Sequence, residues 1–188
     1  MKKLKSFILQ QLTNDLGNIN MKFIKDILVI DFEGKKEPTQ IGAVLLDKET
    51  LIEKDSFVSY IYTDLEGFVS PTSGITQEML VDAPTQAQVG QMIFEKFGTT
   101  ILIASWVADL DIRNFKKIIT ATGKSFSDYD YHILDIWAPA YIHALKKGYG
   151  GGIRSEELFQ YFGKEPRNLH DALTDARIAA DILRKIAL

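Results

Sequence analysis

Acidic residues in this chain collect just beyond the ends of its most apolar runs. Asp31 and Glu33 stand two apart at the end of "DILVIDFEG", and in an extended strand that spacing sends both carboxylates out of one face. Neighbouring carboxylates repel, and both stay ionised only where a cation sits between them; the alternative is that the strand has already ended and both are solvated. Asp109 and Asp111 follow the run "TTILIASWV" at the entrance to a helical pattern, where one of them is expected as the N-cap. Asp135 closes "YHILD", and hydrogen bonding at a strand terminus accounts for it. His170, Asp171 and Asp175 open the amphipathic segment "NLHDALTDARIAADIL". If Asp171 is its N-cap, the carboxylate accepts from the amide of Leu173 or Thr174 and His170 lies outside the helix. If the helix starts earlier, Asp171 and Asp175 form an i, i+4 pair. Geometry alone does not choose a catalytic pair; it explains one aspartate as a cap and leaves the other and the histidine unexplained. Carboxylates at the ends of strands in an open α/β sheet are suited to holding divalent cations and, through them, phosphate.

The chain has 188 residues, 46% of them hydrophobic, no cysteine and a net charge of −3. That length and composition support one ordinary globular domain with a real core. Without cysteine there are no disulfides and no thiolate metal sites, which fits a reducing cytoplasm. The N-terminal "MKKLKSFILQQLTNDLGNIN" has too short an apolar run for a signal peptide, and no run is long enough to cross a bilayer. The expectation is a cytoplasmic protein with no membrane partner. A slightly acidic charge argues against binding nucleic acid by bulk electrostatics, but not against meeting phosphate through bound metal.

The elements that must position these residues follow from periodicity. Residues 1–20 form an N-terminal extension with a helical, amphipathic pattern, and residues 21–188 form the domain. "DILVIDFEG" is a central strand buried on both faces. "TQIGAVLLDKETLIEKDSFVSYIY" is a hairpin around the polar turn "DKET", and "VSPTSGITQEML" is a loop. "APTQAQVGQMIFEKF" is a helix, "TTILIASWV" a strand, "DIRNFKKIITATG" a helix stopped at Gly123 and "YHILDIWAPA" a last strand or strand-to-helix joint. "SEELFQYFG" and the segment from His170 are two final helices. The order β-β-β-α-β-α-β-α-α predicts an α/β fold with a mixed five-stranded sheet: the first three strands antiparallel, the later ones joined by helical crossovers, helices flanking.

"VIDFEG", "QIGAVLLD", "SGITQEML", "IASWVADLDIRNF" and "HDALTDA", in that order, resemble the DnaQ-like 3′-5′ exonucleases with the DEDDh signature. The resemblance spans residues 25–185, and "HDALTDA" is its most specific piece. The "ASW" before Asp111 is similar to the subgroup of KapD-type and Eri-type exonucleases, several of which act on RNA. What the resemblance implies is a ribonuclease H-like fold and a cytoplasmic hydrolase. Asp31, Glu33, Asp111 and Asp175 would hold two divalent cations, Mg²⁺ or Mn²⁺, with His170 as general base. The ordinary imidazole pKa of about 6.5 suits that task.

The implied reaction is release of 5′-nucleoside monophosphates from the 3′ end of single-stranded nucleic acid, RNA favoured. A DNA proofreading or repair exonuclease of the same mechanism is the alternative, and a catalytically inactive nucleic-acid- or protein-binding module on the same fold is the third reading. Phe32, Gly34 and Trp106 are candidates for substrate binding. For Phe32 the alternation of facing favours core packing, and for Trp106 packing at a strand end is the stronger reading. The chain departs from the family in having Ser105 and Trp106 where many relatives have His-Asn. It carries one extra residue between Trp106 and Asp111, which keeps Asp109 as a rival to Asp111, and Gln40 stands where an acidic residue is common.

Overall fold

In the computed structural model, which describes residues 22–34, 36–67 and 69–188, the central strand β1 (Ile27–Glu33) runs antiparallel to β2 (Gln40–Leu46) and parallel to β4 (Leu102–Ser105). β3 (Glu53–Tyr60) pairs antiparallel with β2, and β5 (Ile133–Asp135) pairs parallel with β4, giving the order β3-β2-β1-β4-β5. This is the mixed five-stranded sheet that the element order predicts. The expected N-terminal helix at 1–20 lies outside the described residues.

The pleat of β1 divides the core in two. Ile27 and Val29 face the layer of α4 (Trp137–Lys146), α5 (Ser155–Tyr161) and α6 (Ala172–Ala187), where Ala140, Ala144, Leu158 and the alanines of α6 are buried. Leu28, Ile30 and Phe32 face α2 (Gln86–Phe97) and α3 (Ala108–Ala121), against Val89, Ile93, Phe115 and Ile118. By parity Asp31 and Glu33 belong with Ile27 and Val29, so they leave the sheet on the side of α6. The small residues of α6 let that helix lie close to β1 and β2. At Gly42 an added Cβ would overlap the Ala172–Leu173 peptide.

The turn "DKET" forms as expected, with Asp47 Oδ1 accepting from the amides of Glu49 at 3.0 Å and Thr50 at 2.9 Å. α2 begins at Thr85 with a reciprocal capping box to Gln88. Three details differ from the sequence reading. A four-residue helix, α1 (Gln77–Leu80), lies in the expected loop. α4 is a full helix that the element order omits; Pro139 sits in its first turn, where the missing N–H has no intrahelical partner to lose. Neither Asp109 nor Asp111 caps α3: the N-cap is Val107, without a side-chain bond. The cap comes from the neighbouring strand end. Asp135 accepts from Ala108 N of α3 and from Ala138 N of α4, both at 3.1 Å, so one carboxylate serves the starts of two helices.

Candidate active site

A cleft of about 340 Å³ opens past the ends of β1 and β4, and Asp31, Glu33, Asp111, His170 and Asp175 all line it. Each arrives by a different local device. Asp31 and Glu33 come from the last turn of the pleat of β1. Asp111 comes from the first turn of α3, buried at 7% exposure; Phe32 N donates to its Oδ1 at 3.2 Å, and the fully buried Ser105 hydroxyl donates to its Oδ2. Asp109, its sequence rival, points to solvent and pairs with Arg113 at 2.9 Å. The structure therefore brings Asp111, and not Asp109, to the cleft.

The third segment is pinned from two sides. Asp171 caps α6, its Oδ1 accepting from Thr174 N at 2.9 Å and from the Thr174 hydroxyl at 2.8 Å. Gln40 completes the anchor, donating to Asp171 Oδ2 at 3.0 Å and accepting from Ala172 N at 3.1 Å. With Asp171 spent on capping, Asp175 is one turn on, buried and facing β1. His170 lies just outside the helix, its amide donating to Thr72 O at 2.8 Å, so the "PTSGIT" loop holds it in place. His170 Nδ1 stands 3.4 Å from Asp175 Oδ2 and 3.9 Å from Glu33 Oε1.

Electrostatically this is a site of crowded negative charge. Burial and then the carboxylates of Asp111, Asp175 and Glu33 push Asp31 well above the usual range. Burial, with Asp175 second, raises Glu33 to about 7. Burial raises Asp111 to about 7 against the opposing bonds from Ser105 and Phe32. Asp175 is raised by burial although Arg167 opposes it. A divalent cation fits these residues. Glu33, His170 and Asp175 each offer a ligand atom within 4.8 Å of one another, and Asp175 Oδ1 is buried with no hydrogen-bond partner among the described residues. Carboxylate oxygens, which dominate this set, are the donors that hard divalent cations take.

The three candidate substrate residues are placed differently from one another. Phe32 and Trp106 border the cleft but are only 9% and 5% exposed. Phe32 packs toward α2 and α3, and Trp106 lies 4.6 Å from Phe159, centroid to centroid. Core packing, the stronger reading for both, accounts for them. Gly34 has φ +116°, and a Cβ there would overlap Glu37 O. The close return of the chain's own loop requires glycine here, and Gly34 also borders the cleft. Sequence reasoning missed Ser105 as a partner of Asp111 and missed Arg167 altogether. Arg167 lines the cleft and pairs with both Asp175 and Glu156.

The RNase T exonuclease family model matches residues 26–183. The chain belongs to this family of exonucleases. It is 30% identical over 166 residues to the DNA polymerase III subunit epsilon of Aquifex aeolicus (strain VF5), covering 85% of this chain and 79% of that one. Among solved structures, a 3′-exonuclease described in 3′-end-specific recognition of a histone mRNA stem-loop superposes with TM-score 0.65 at 19% identity, over 99% of this chain and 72% of that one. E. coli exonuclease I bound to a dT13 oligonucleotide superposes with TM-score 0.71 at 18% identity, over 86% of this chain and 41% of that one. At those identities the structural likeness speaks for the fold, which is ribonuclease H-like. The family places this exonuclease in the DnaQ-like 3′-5′ superfamily. Among its described residues no helix is long and apolar enough to cross a membrane.

Proposed function

We propose that the protein is a divalent-metal-dependent 3′-5′ exonuclease that removes 5′-nucleoside monophosphates from the 3′ end of single-stranded nucleic acid, with RNA the preferred strand. The observation that carries this reading is the convergence of Asp31, Glu33, Asp111, His170 and Asp175, from three separate stretches of chain, on one cleft. All five signature positions are present, which disfavours an inactive binding module.

Asp31, Glu33, Asp111 and Asp175 would hold two Mg²⁺ or Mn²⁺ ions, which when bound would supply Lewis acidity to the scissile phosphate. His170, half-exposed at the cleft and tethered through its amide, accepts the proton of the attacking water. The water oxygen bonds to phosphorus, the P–O3′ bond breaks, and the shortened strand keeps a 3′-hydroxyl. Gly34 joins the cleft to a second hollow of about 450 Å³, lined among others by Lys36, Thr63 and Ser73. This hollow has room for a nucleoside, and Ser73 Oγ is buried there without a partner among the described residues.

The RNA preference rests on "ASW" before Asp111. A DNA proofreading role is the second reading, favoured by the 30% identity to a DNA polymerase III subunit. Matched 5′-labelled RNA and DNA single strands, incubated with Mn²⁺ or Mg²⁺ and with an EDTA control, separate the readings. A metal-dependent ladder shortening from the 3′ end, faster on RNA, is expected. A faster DNA ladder moves the assignment to the second reading, and no ladder on either strand overturns the enzyme reading.

A further inference from the structure

We propose that Arg167 is a tethered counter-cation that competes with a divalent ion for Asp175 and so lowers the cleft's affinity for metal. The inference rests on the metal-dependent reading above. Arg167 sits in the loop between α5 and α6 with its side chain only 10% exposed. Its Nη1 pairs with Asp175 Oδ2, the same oxygen that stands 3.4 Å from His170 Nδ1 and so faces the Glu33–His170–Asp175 group. The other side of the guanidinium is fixed. Nη2 and Nε donate to Glu156 Oε2 at 2.9 and 3.1 Å, and the guanidinium carbon lies 4.8 Å from the centroid of Phe159, itself packed on Trp106.

Arginine does not give up its proton in proteins, so its charge is permanent. A cation that takes Asp175 Oδ2 must displace Nη1 or sit beside a like charge a few ångströms away. Either cost weakens metal binding. Because Glu156 and Phe159 hold the guanidinium independently of Asp175, displacement does not send it into solvent. It stays at the cleft wall with donors freed toward the substrate phosphate, which guanidinium forks bind well. Metal would then enter tightly only together with a strand whose phosphate takes over Arg167.

The test is calorimetric titration of Mn²⁺ into EDTA-treated, dialysed full-length protein without nucleic acid, comparing wild type with Arg167→Met, which keeps the stem against Phe159 and removes the charge. Expected is Mn²⁺ binding tighter by on the order of tenfold, with a lower melting temperature before Mn²⁺ addition that recovers at saturation. If Arg167→Met does not fold, Arg167→Gln, uncharged but still a hydrogen-bond donor, gives the same readout. Unchanged or weaker Mn²⁺ binding with a melting temperature lowered equally with and without metal assigns Arg167 to structure alone and overturns the proposal. No Mn²⁺ binding by either protein overturns the metal-dependent reading itself.

Discussion

Gly42 of β2 lies directly against the Ala172–Leu173 peptide at the start of α6, with no room for a Cβ between them. That contact sets how deep the first turn of α6 sits over the sheet, and thereby where Asp175 meets Asp31 and Glu33. Gly42→Ala is expected to push the helix start outward, at a cost of about 1–3 kcal/mol of stability as for other overpacked sites. Nuclease activity should fall by more than that loss explains, since the carboxylates separate. Chemical denaturation together with the initial rate on a labelled strand checks this. Wild-type activity in a folded variant would show that the close contact is unrelated to the site.

Asp171 and Asp175 stand four residues apart at the head of α6 but do not share a task. Asp171→Asn keeps the oxygen that caps Thr174 and should retain most activity, with a stability loss of about 0.5–1 kcal/mol from its bond to Gln40. Asp175→Asn and His170→Ala should each remove at least about 99% of turnover, the scale set by loss of a metal ligand or general base. Steady-state rates at saturating Mn²⁺ decide it. Equal damage from Asp171→Asn and Asp175→Asn would contradict the division.

At the second motif, Asp109→Asn should leave the rate within about twofold of wild type, because that side chain is exposed and pairs with Arg113 at the surface. Asp111→Asn should abolish turnover. Ser105→Ala removes the hydroxyl that orients Asp111, and an uncompensated bond to a charged group is worth about 1.5–3 kcal/mol. A drop in rate of roughly tenfold or more is expected, read as kcat at saturating metal.

The crowded carboxylates also make the metal-free protein sensitive to pH. Glu33 and Asp111 have folded-state values raised to about 7, so the folded protein binds their protons more tightly than the unfolded chain. Their contribution to stability is complete below the unfolded carboxylate range and is lost as pH rises through about 7. In EDTA, Glu33→Gln should therefore gain stability relative to wild type as pH is raised from 5 to 8. Saturating Mn²⁺ should cancel that gain by neutralising the site. Thermal melts at several pH values measure the difference, and a gap that narrows with rising pH would reverse the sign worked out here.

The sheet and most helices are legible from local pattern. β1 reads as a buried run, the "DKET" turn joins two β-branched strands, and α6 shows its apolar stripe. These features depend on neighbours within a few positions, where periodicity and turn chemistry act. α4 escapes that reading because "YHILDIWAPA" reads whole as a last strand or strand-to-helix joint; the helix forms with Pro139 in its first turn, where proline is tolerated. The cap of α3 escapes it as well, because its acceptor is Asp135, 27 residues away.

Sequence by itself determined the inventory of the site: Asp31 and Glu33 on one face, an aspartate after the second apolar run, and a histidine with two aspartates at the head of the last helix. Spacing along one element decides facing, so these were readable without coordinates. Which aspartate of each pair enters the cleft was decided only in the tertiary structure. Asp111 is turned inward by Ser105 and the Phe32 amide, Asp171 is retained by Thr174 and Gln40, and Arg167 reaches Asp175 from a loop with no periodicity to betray it. Those choices depend on hydrogen-bond partners and charges from distant segments, which meet only when the sheet has brought the strand ends together.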